Sequence, residues 1–250
     1  MRRGRGRNIY RTTTEVVPSK LPSRKKNQPN PIGKFIIHSN HQDLIKDLNP
    51  ALQHHTIISI DPGTKNYAFR IEKRYNSLFG NYNLSIVTVA MTKKEFDDTR
   101  HHVNNNGTRS QLYVDLIKFL DMYKDQYPTA SMVIIERQMS DNSDMWRMSQ
   151  ATIDYFIIKY PDIIVIEVDA HLKSKAFNAP KMTRPELKKW DIDTAERILM
   201  ARGDEDGLKI MKSYKKMDDI ADTVIAIEAL FVHLNLQITN PEGMTITTFR

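Results

Sequence analysis

Apolar positions along this chain follow two different periods. Short, nearly continuous apolar runs at Thr56–Asp61, Met132–Glu136 and Ile163–Val168 have the length of strands rather than helices. The unbroken run Met132–Ile135 predicts a strand covered on both faces. Tyr67–Glu72 and Leu84–Met91 complete five predicted strands, the first following the turn Asp61-Pro62-Gly63-Thr64-Lys65-Asn66. A helical stripe takes over at Leu112, Leu116, Phe119 and Leu120 within Gln111–Tyr123, and again at Ile220, Val224, Ile227, Phe231 and Leu234 within Asp218–Leu236. Asp144–Tyr160, with Asn142 or Ser143 as its cap, and Pro185–Ala201 are further predicted helices, and the polar stretch 97–108 is a loop. The order is three strands, helix, strand, helix, strand, helices, which is an α/β pattern without an internal repeat.

The first 34 residues stand apart. They lack periodicity, carry Pro18, Pro22, Pro29 and Pro31, and hold ten Lys/Arg against the single acid Glu15. The whole chain has a net charge of +7, so the rest, with 27 basic and 29 acidic residues, is slightly acidic. The expected organisation is a disordered basic arm and linker over 1–50, a folded domain over 51–237 and a tail over 238–250. The arm has three readings of equal weight: a nucleic-acid-contacting tail, a nuclear signal around Arg24-Lys25-Lys26, or an Arg-rich organelle presequence. No apolar core of a secretory signal follows the early arginines, and no run reaches the length of a membrane span. Zero cysteines exclude disulfides, thiolate metal sites and a cysteine nucleophile.

Candidate chemistry lies in carboxylates parked at the ends of apolar segments. Asp61 ends the first strand, Glu136 ends the fourth, and Asp218, Asp219 and Asp222 open the last helix. An acid at the end of a buried strand is costly to desolvate unless a cation meets it, and a divalent ion is the strongest candidate. Acids gathered around a hard metal are how many nucleases activate water against a phosphodiester. On a helix, Asp219 and Asp222 lie about 60° apart and Asp218 and Asp222 about 40° apart, so geometry alone does not choose between Asp218 and Asp219. The competing reading is a solvated acidic first turn favoured by the helix dipole. Glu167 and Asp169 also sit at a strand end and are decoys or auxiliaries. Lys173, Lys175, Lys188, Lys189, Lys215 and Lys216 could each supply a fixed cation for a phosphoryl transition state, although a solvated surface lysine is the commoner outcome. His54-His55 and His101-His102 are adjacent pairs whose side chains point apart on a strand, and they are not read as metal ligands. Trp146, with Met145 and Met148, reads as helix-core packing ahead of an exposed recognition patch.

Four blocks in order, IISIDPGTKN (57–66), VIIERQ (133–138), DAHLKSKAF (169–177) and KKMDDIADTVIAIEAL (215–230), make residues 56–234 resemble a RuvC-type Holliday junction resolvase of the RNase H-like superfamily, most like those of poxviruses and other large DNA viruses. The resemblance implies an α/β RNase H-like fold: a mixed five-stranded sheet in the order 3-2-1-4-5 with helices on both faces. It implies that Asp61, Glu136, Asp219 and Asp222 ligate two Mg²⁺ ions, with Mn²⁺ able to substitute. Lys173 matches the basic catalytic residue after the fifth strand, and Lys188 or Lys189 approximates a second. The basic arm and the 97–108 loop have no counterpart in the family pattern.

The implied activity is Mg²⁺-dependent endonucleolytic resolution of four-way DNA junctions in recombination, repair and replication. It would be carried out by a homodimer acting on branched DNA, without a membrane or small-molecule partner. The implied setting is intracellular, at the site of DNA replication: a viral factory or nucleus, with an organelle as a further possibility. Three alternatives compete. An actin/Hsp70-like ATP-binding module shares the D-x-G-T turn but needs a second similar half, for which there is no room. A non-catalytic junction-binding protein of the same fold would tolerate loss of an acid, yet all four positions are filled. Another RNase H-like nuclease, for hybrids or flaps, would use the same ligands.

Overall fold

The computed structural model describes residues 35–38, 54–76, 84–96, 110–139 and 141–234. These all belong to the compact unit Ile32–Arg250. The basic arm, the 97–108 loop and the 238–250 tail lie outside the described residues. The strands are β1 (Phe35–Ile37), β2 (His54–Asp61), β3 (Tyr67–Asn76), β4 (Leu84–Lys94), β5 (Ala130–Glu136) and β6 (Ile164–Val168). The helices are α1 (Ser110–Asp121), α2 (Ser143–Lys159), α3 (His171–Ala176), α4 (Arg184–Ala201), α5 (Glu205–Ser213) and α6 (Asp218–His233), with a 3₁₀ helix over Lys124–Thr129.

The strands form one mixed sheet in the order β1-β6-β5-β2-β3-β4. β2, β5 and β6 run parallel to one another, while β3 and β4 form antiparallel partners on one side. Counted from β2, this is the expected order 3-2-1-4-5. The difference is a sixth strand: β1, within the stretch expected to be arm and linker, pairs antiparallel with β6. Three residues are too few to show a hydrophobic period, and pairing with β6 rather than local pattern makes them a strand. No helix among the described residues is long and apolar enough to cross a membrane.

Alternation along the strands divides the core into two faces. Ile58, Ile60, Tyr67, Phe69, Ile71, Val133 and Ile135 pack on one face against α1, the 3₁₀ helix and α2. Ile57, Ala68, Met132 and Ile134 look to the other face, where α3, α4, α5 and α6 cover the sheet. α6 is buried along most of its length, as its apolar stripe predicts. Met148 of α2 is in the core, but Trp146 is 48% exposed, so the expectation of core packing fails for the tryptophan. Asn142 is the α2 cap, its side chain accepting from Met145 N. A capping box of Thr183 and Glu186 opens α4.

Beneath α6 the sheet carries charge. Arg70, Glu72 and Arg74 alternate along β3 on the helix-covered face and are buried. Arg70 and Arg74 both donate to Glu72, Arg74 and Arg202 both pair with Glu228 of α6, and Arg202 Nη1 lies 3.5 Å from Glu72. Asp204 completes the set, accepting from Thr88 at 2.6 Å and from Arg70 at 3.3 Å. Three guanidinium groups thus meet three carboxylates, and the buried network is neutral, as a low-dielectric site requires.

Candidate active site

Parallel register brings the first two acids together. Ile60 pairs with Ile135, so Asp61 and Glu136 end adjacent strands one residue later. Both share strand parity with core residues on the helix-covered face, Asp61 with Ile57 and Glu136 with Ile134, and so they look towards α6. The chain turns sharply after Asp61. A Cβ on Gly63 would come within 2.9 Å of the Asn66 carbonyl oxygen, so the close approach of the two backbones requires glycine here.

Lys173 of α3 is the hub. Its ammonium, in a side chain 10% exposed, lies 2.9 Å from Glu136 Oε2 and 2.7 Å from Asp222 Oδ1. Burial alone would lower its proton affinity, but Glu136, Asp222 and Asp191 outweigh that and hold its pKa well above the ordinary lysine value. Gln138, just beyond β5, donates to Asp61 Oδ1 at 3.2 Å and ties the two strand ends together.

The acids sense one another. Burial raises the pKa of Asp61 well above the usual carboxylate range, and Glu136, Asp222 and Asp219 reinforce the rise against Lys173. Asp222 is pushed up to about 7, chiefly by burial, with Glu136 and Asp191 adding to it and Lys173 opposing. The expected set Asp61, Glu136, Asp219, Asp222 and Lys173 therefore converges at one end of the sheet.

The two candidate aspartates of the α6 start diverge. Asp219 accepts from Lys216 at 2.7 Å and 2.8 Å, has Lys93 at 3.6 Å, and contributes to the field at Asp61. Asp218 is buried, pairs with Lys188 and has Lys216 at 3.7 Å; its charge is felt at Asp191 instead. It is therefore an ion-paired group rather than the solvated first-turn acid of the competing reading. Of the two candidate lysines, Lys188 enters this cluster and Lys189 is exposed. Lys175 and Lys215 are also exposed. Glu167 and Asp169 are engaged by Arg137, at 3.5 Å and 3.9 Å, and Asp169 accepts from His171 N.

Sequence reasoning missed Asp191, which α4 buries beside this cluster at 6% exposure. A signal was available: Asp191 lies three, four and seven residues before buried Thr194, Ala195 and Ile198, so it is an acid on the helix's inward stripe.

The donor set fits a hard divalent cation. Asp61, Glu136, Asp219 and Asp222 bring four carboxylates to this end of the sheet with Lys173 among them, and oxygen donors suit Mg²⁺ or Mn²⁺. Among the described residues, no three Asp, Glu or His side chains stand ready arranged around one ion. Lys173 instead places its ammonium as the cation between Glu136 and Asp222.

No family model matches the chain. Uncharacterized protein 97L of Invertebrate iridescent virus 3 is 27% identical over 205 residues, covering 69% of this chain and 98% of that protein. Among solved structures, the yeast mitochondrial Holliday junction resolvase Ydc2 aligns with a TM-score of 0.48 at 10% identity, over 78% of this chain and 88% of its own. Thermus thermophilus RuvC aligns with a TM-score of 0.43 at 9% identity, over 71% and 96%. The sheet itself has the strand order 3-2-1-4-5 with helices on both faces that the sequence leads one to expect, extended by one edge strand.

Proposed function

We propose that this chain is a RuvC-type resolvase, a structure-selective endonuclease that hydrolyses phosphodiesters in four-way DNA junctions. The observation that carries the reading is the meeting of Asp61, Glu136 and Asp222, from two strand ends and a helix start, around buried Lys173. Asp61, Glu136, Asp219 and Asp222 would hold two Mg²⁺ ions, and Mn²⁺ could replace them. Divalent ions bound by such acids lower the pKa of an attacking water and stabilise a leaving 3′ oxygen. Lys173 keeps a permanent positive charge where negative charge develops on the scissile phosphate, and its burial keeps that field strong. Gln138 fixes the Asp61 carboxylate relative to β5. Lys93 and Lys216 hold Asp219 from the outer side.

Two symmetric cuts in a junction call for two sites related by a two-fold axis, and so for a homodimer. Recognition would be of shape and backbone, with phosphate contacts setting position. The resemblance to viral resolvases, together with a relative from Invertebrate iridescent virus 3, supports a role at sites of viral DNA replication and recombination. The folded domain would begin with β1, and the basic residues before it would act as a nucleic-acid-contacting arm.

The test is cleavage of a synthetic four-way junction beside duplex, flap and RNA–DNA hybrid controls, with and without Mg²⁺. Paired, Mg²⁺-dependent cuts in the junction are expected. A preference for hybrids or flaps would make the chain another RNase H-like nuclease, and tight junction binding without cleavage would make it a non-catalytic binder.

A further inference from the structure

Asp191 has an unusual place for a carboxylate. It is 6% exposed, and its Oδ1 has no hydrogen-bond partner among the described residues. Burying an acceptor without a donor is costly, so the unpartnered Oδ1 calls for a partner that this state of the protein does not supply. Two cations act on it, Lys173 and Lys188. Lys188 is committed to Asp218. Lys173 directs its ammonium to Glu136 and Asp222, although it also feels the charge of Asp191. Those two acids are the ones a divalent ion would claim under the reading above, on which this inference rests. Once they turn to a metal, an ammonium left between them would repel it.

We propose that Asp191 is a positioning residue that receives the Lys173 ammonium when Glu136 and Asp222 engage a divalent cation. Lys173 then has two stations. In the metal-free protein it holds Glu136 and Asp222 together. In the loaded protein it moves to Asp191, which supplies the acceptor that Lys173 loses and gains the donor that its own Oδ1 lacks. Burial pushes the Asp191 carboxyl up to about 6 in the first state, consistent with an acid that has too little positive charge beside it.

The test is Mn²⁺ binding to the full-length protein without DNA, followed by electron paramagnetic resonance, in wild type, Asp191→Asn, Lys173→Met and the double variant. A charge-assisted hydrogen bond of the usual strength corresponds to a factor of about ten to a hundred. Asp191→Asn should weaken Mn²⁺ binding by about that factor, because the amide oxygen that remains offers the Lys173 ammonium no compensating charge. Lys173→Met should bind Mn²⁺ at least as tightly as wild type, and adding Asp191→Asn to it should change nothing further. Asp191→Ala should behave as Asp191→Asn does, with unfolding midpoints confirming that each variant is folded. Unchanged affinity in Asp191→Asn overturns the proposal. An equal loss in the Lys173→Met background also overturns it, since Asp191 would then act on the ion without Lys173. Failure of the functional reading would look different: wild type itself would show no Mn²⁺ binding dependent on Asp61 and Asp222.

Discussion

Replacing Glu72 with glutamine removes one charge from the middle of the buried network and changes little in volume. Glu72 accepts from Arg70 and Arg74, has Arg202 at 3.5 Å, and is fully buried. Burial alone would raise its pKa, but the three guanidinium groups overcome this and bring it down from 4.5 to about 2. At about 1.4 kcal/mol per pKa unit, that depression corresponds to roughly 3 kcal/mol of folding stability at neutral pH. The cost of breaking a buried ion pair by removing one partner, about 3–5 kcal/mol, points to the same size. The variant leaves Arg70, Arg74 and Arg202 facing only Glu228 and Asp204. Urea unfolding at pH 7 should show a lower midpoint with an unchanged slope. The pH dependence gives a second check. A carboxylate whose folded pKa is depressed stabilises the fold fully above its unfolded pKa, and that stability drains away as pH falls through 4.5 towards 2. Wild type should lose this share in that window, whereas Glu72→Gln has already lost it and should show a shallower decline. A loss under about 1 kcal/mol, or parallel pH profiles, would refute the account of the network.

Asp222→Asn should abolish cleavage while junction binding, measured by gel shift, survives, because binding depends on separate phosphate contacts. Asp219→Asn should cost several orders of magnitude in single-turnover cleavage at saturating enzyme and Mg²⁺, and Asp218→Asn much less. Asp218 should show its effect in stability instead, through the lost pair with the partly exposed Lys188, worth about 1 kcal/mol. Equal rate losses in both would put the wrong aspartate on the metal. Deleting residues 1–34 should weaken duplex and junction binding alike and flatten the salt dependence of both, because counterion release is blind to structure. Selective loss of junction binding would make the arm a recognition element.

Much of the domain was legible because its strands are apolar and its acids interrupt them. The run Ile57–Ile60 ending in Asp61, and Met132–Ile135 ending in Glu136, announced two buried strands and the acids at their ends, which pair in parallel. What escaped detection depended on distant partners. The charges Arg70, Glu72 and Arg74 were not singled out in the sequence, and Arg202, Asp204 and Glu228, well over a hundred residues away, make their face a buried one. The helices α3 and α5 are too short for a period to be counted, and β1 is shorter still. Helical spacing alone left Asp218 and Asp219 equivalent. Their separation comes from Lys188 and Lys93, which approach the start of α6 from α4 and β4.

The antiparallel pairing of β1 with β6 decides at which end of the sheet Phe35 lies. Phe35 pairs with Val168 and Ile37 with Ile166, so the chain enters the sheet at the C-terminal end of β6. Glu136 pairs with the same Val168, which puts Asp61 and Glu136 at that end as well. Phe35, the first described residue, therefore lies at the same end of the sheet as Asp61 and Glu136. On the proposal that residues 1–34 contact nucleic acid, covalent attachment gives their ten Lys/Arg a local concentration that a free peptide could match only at very high dose. Residues 1–34 added back in trans to the truncated chain should accordingly fail to restore its affinity at equimolar ratio.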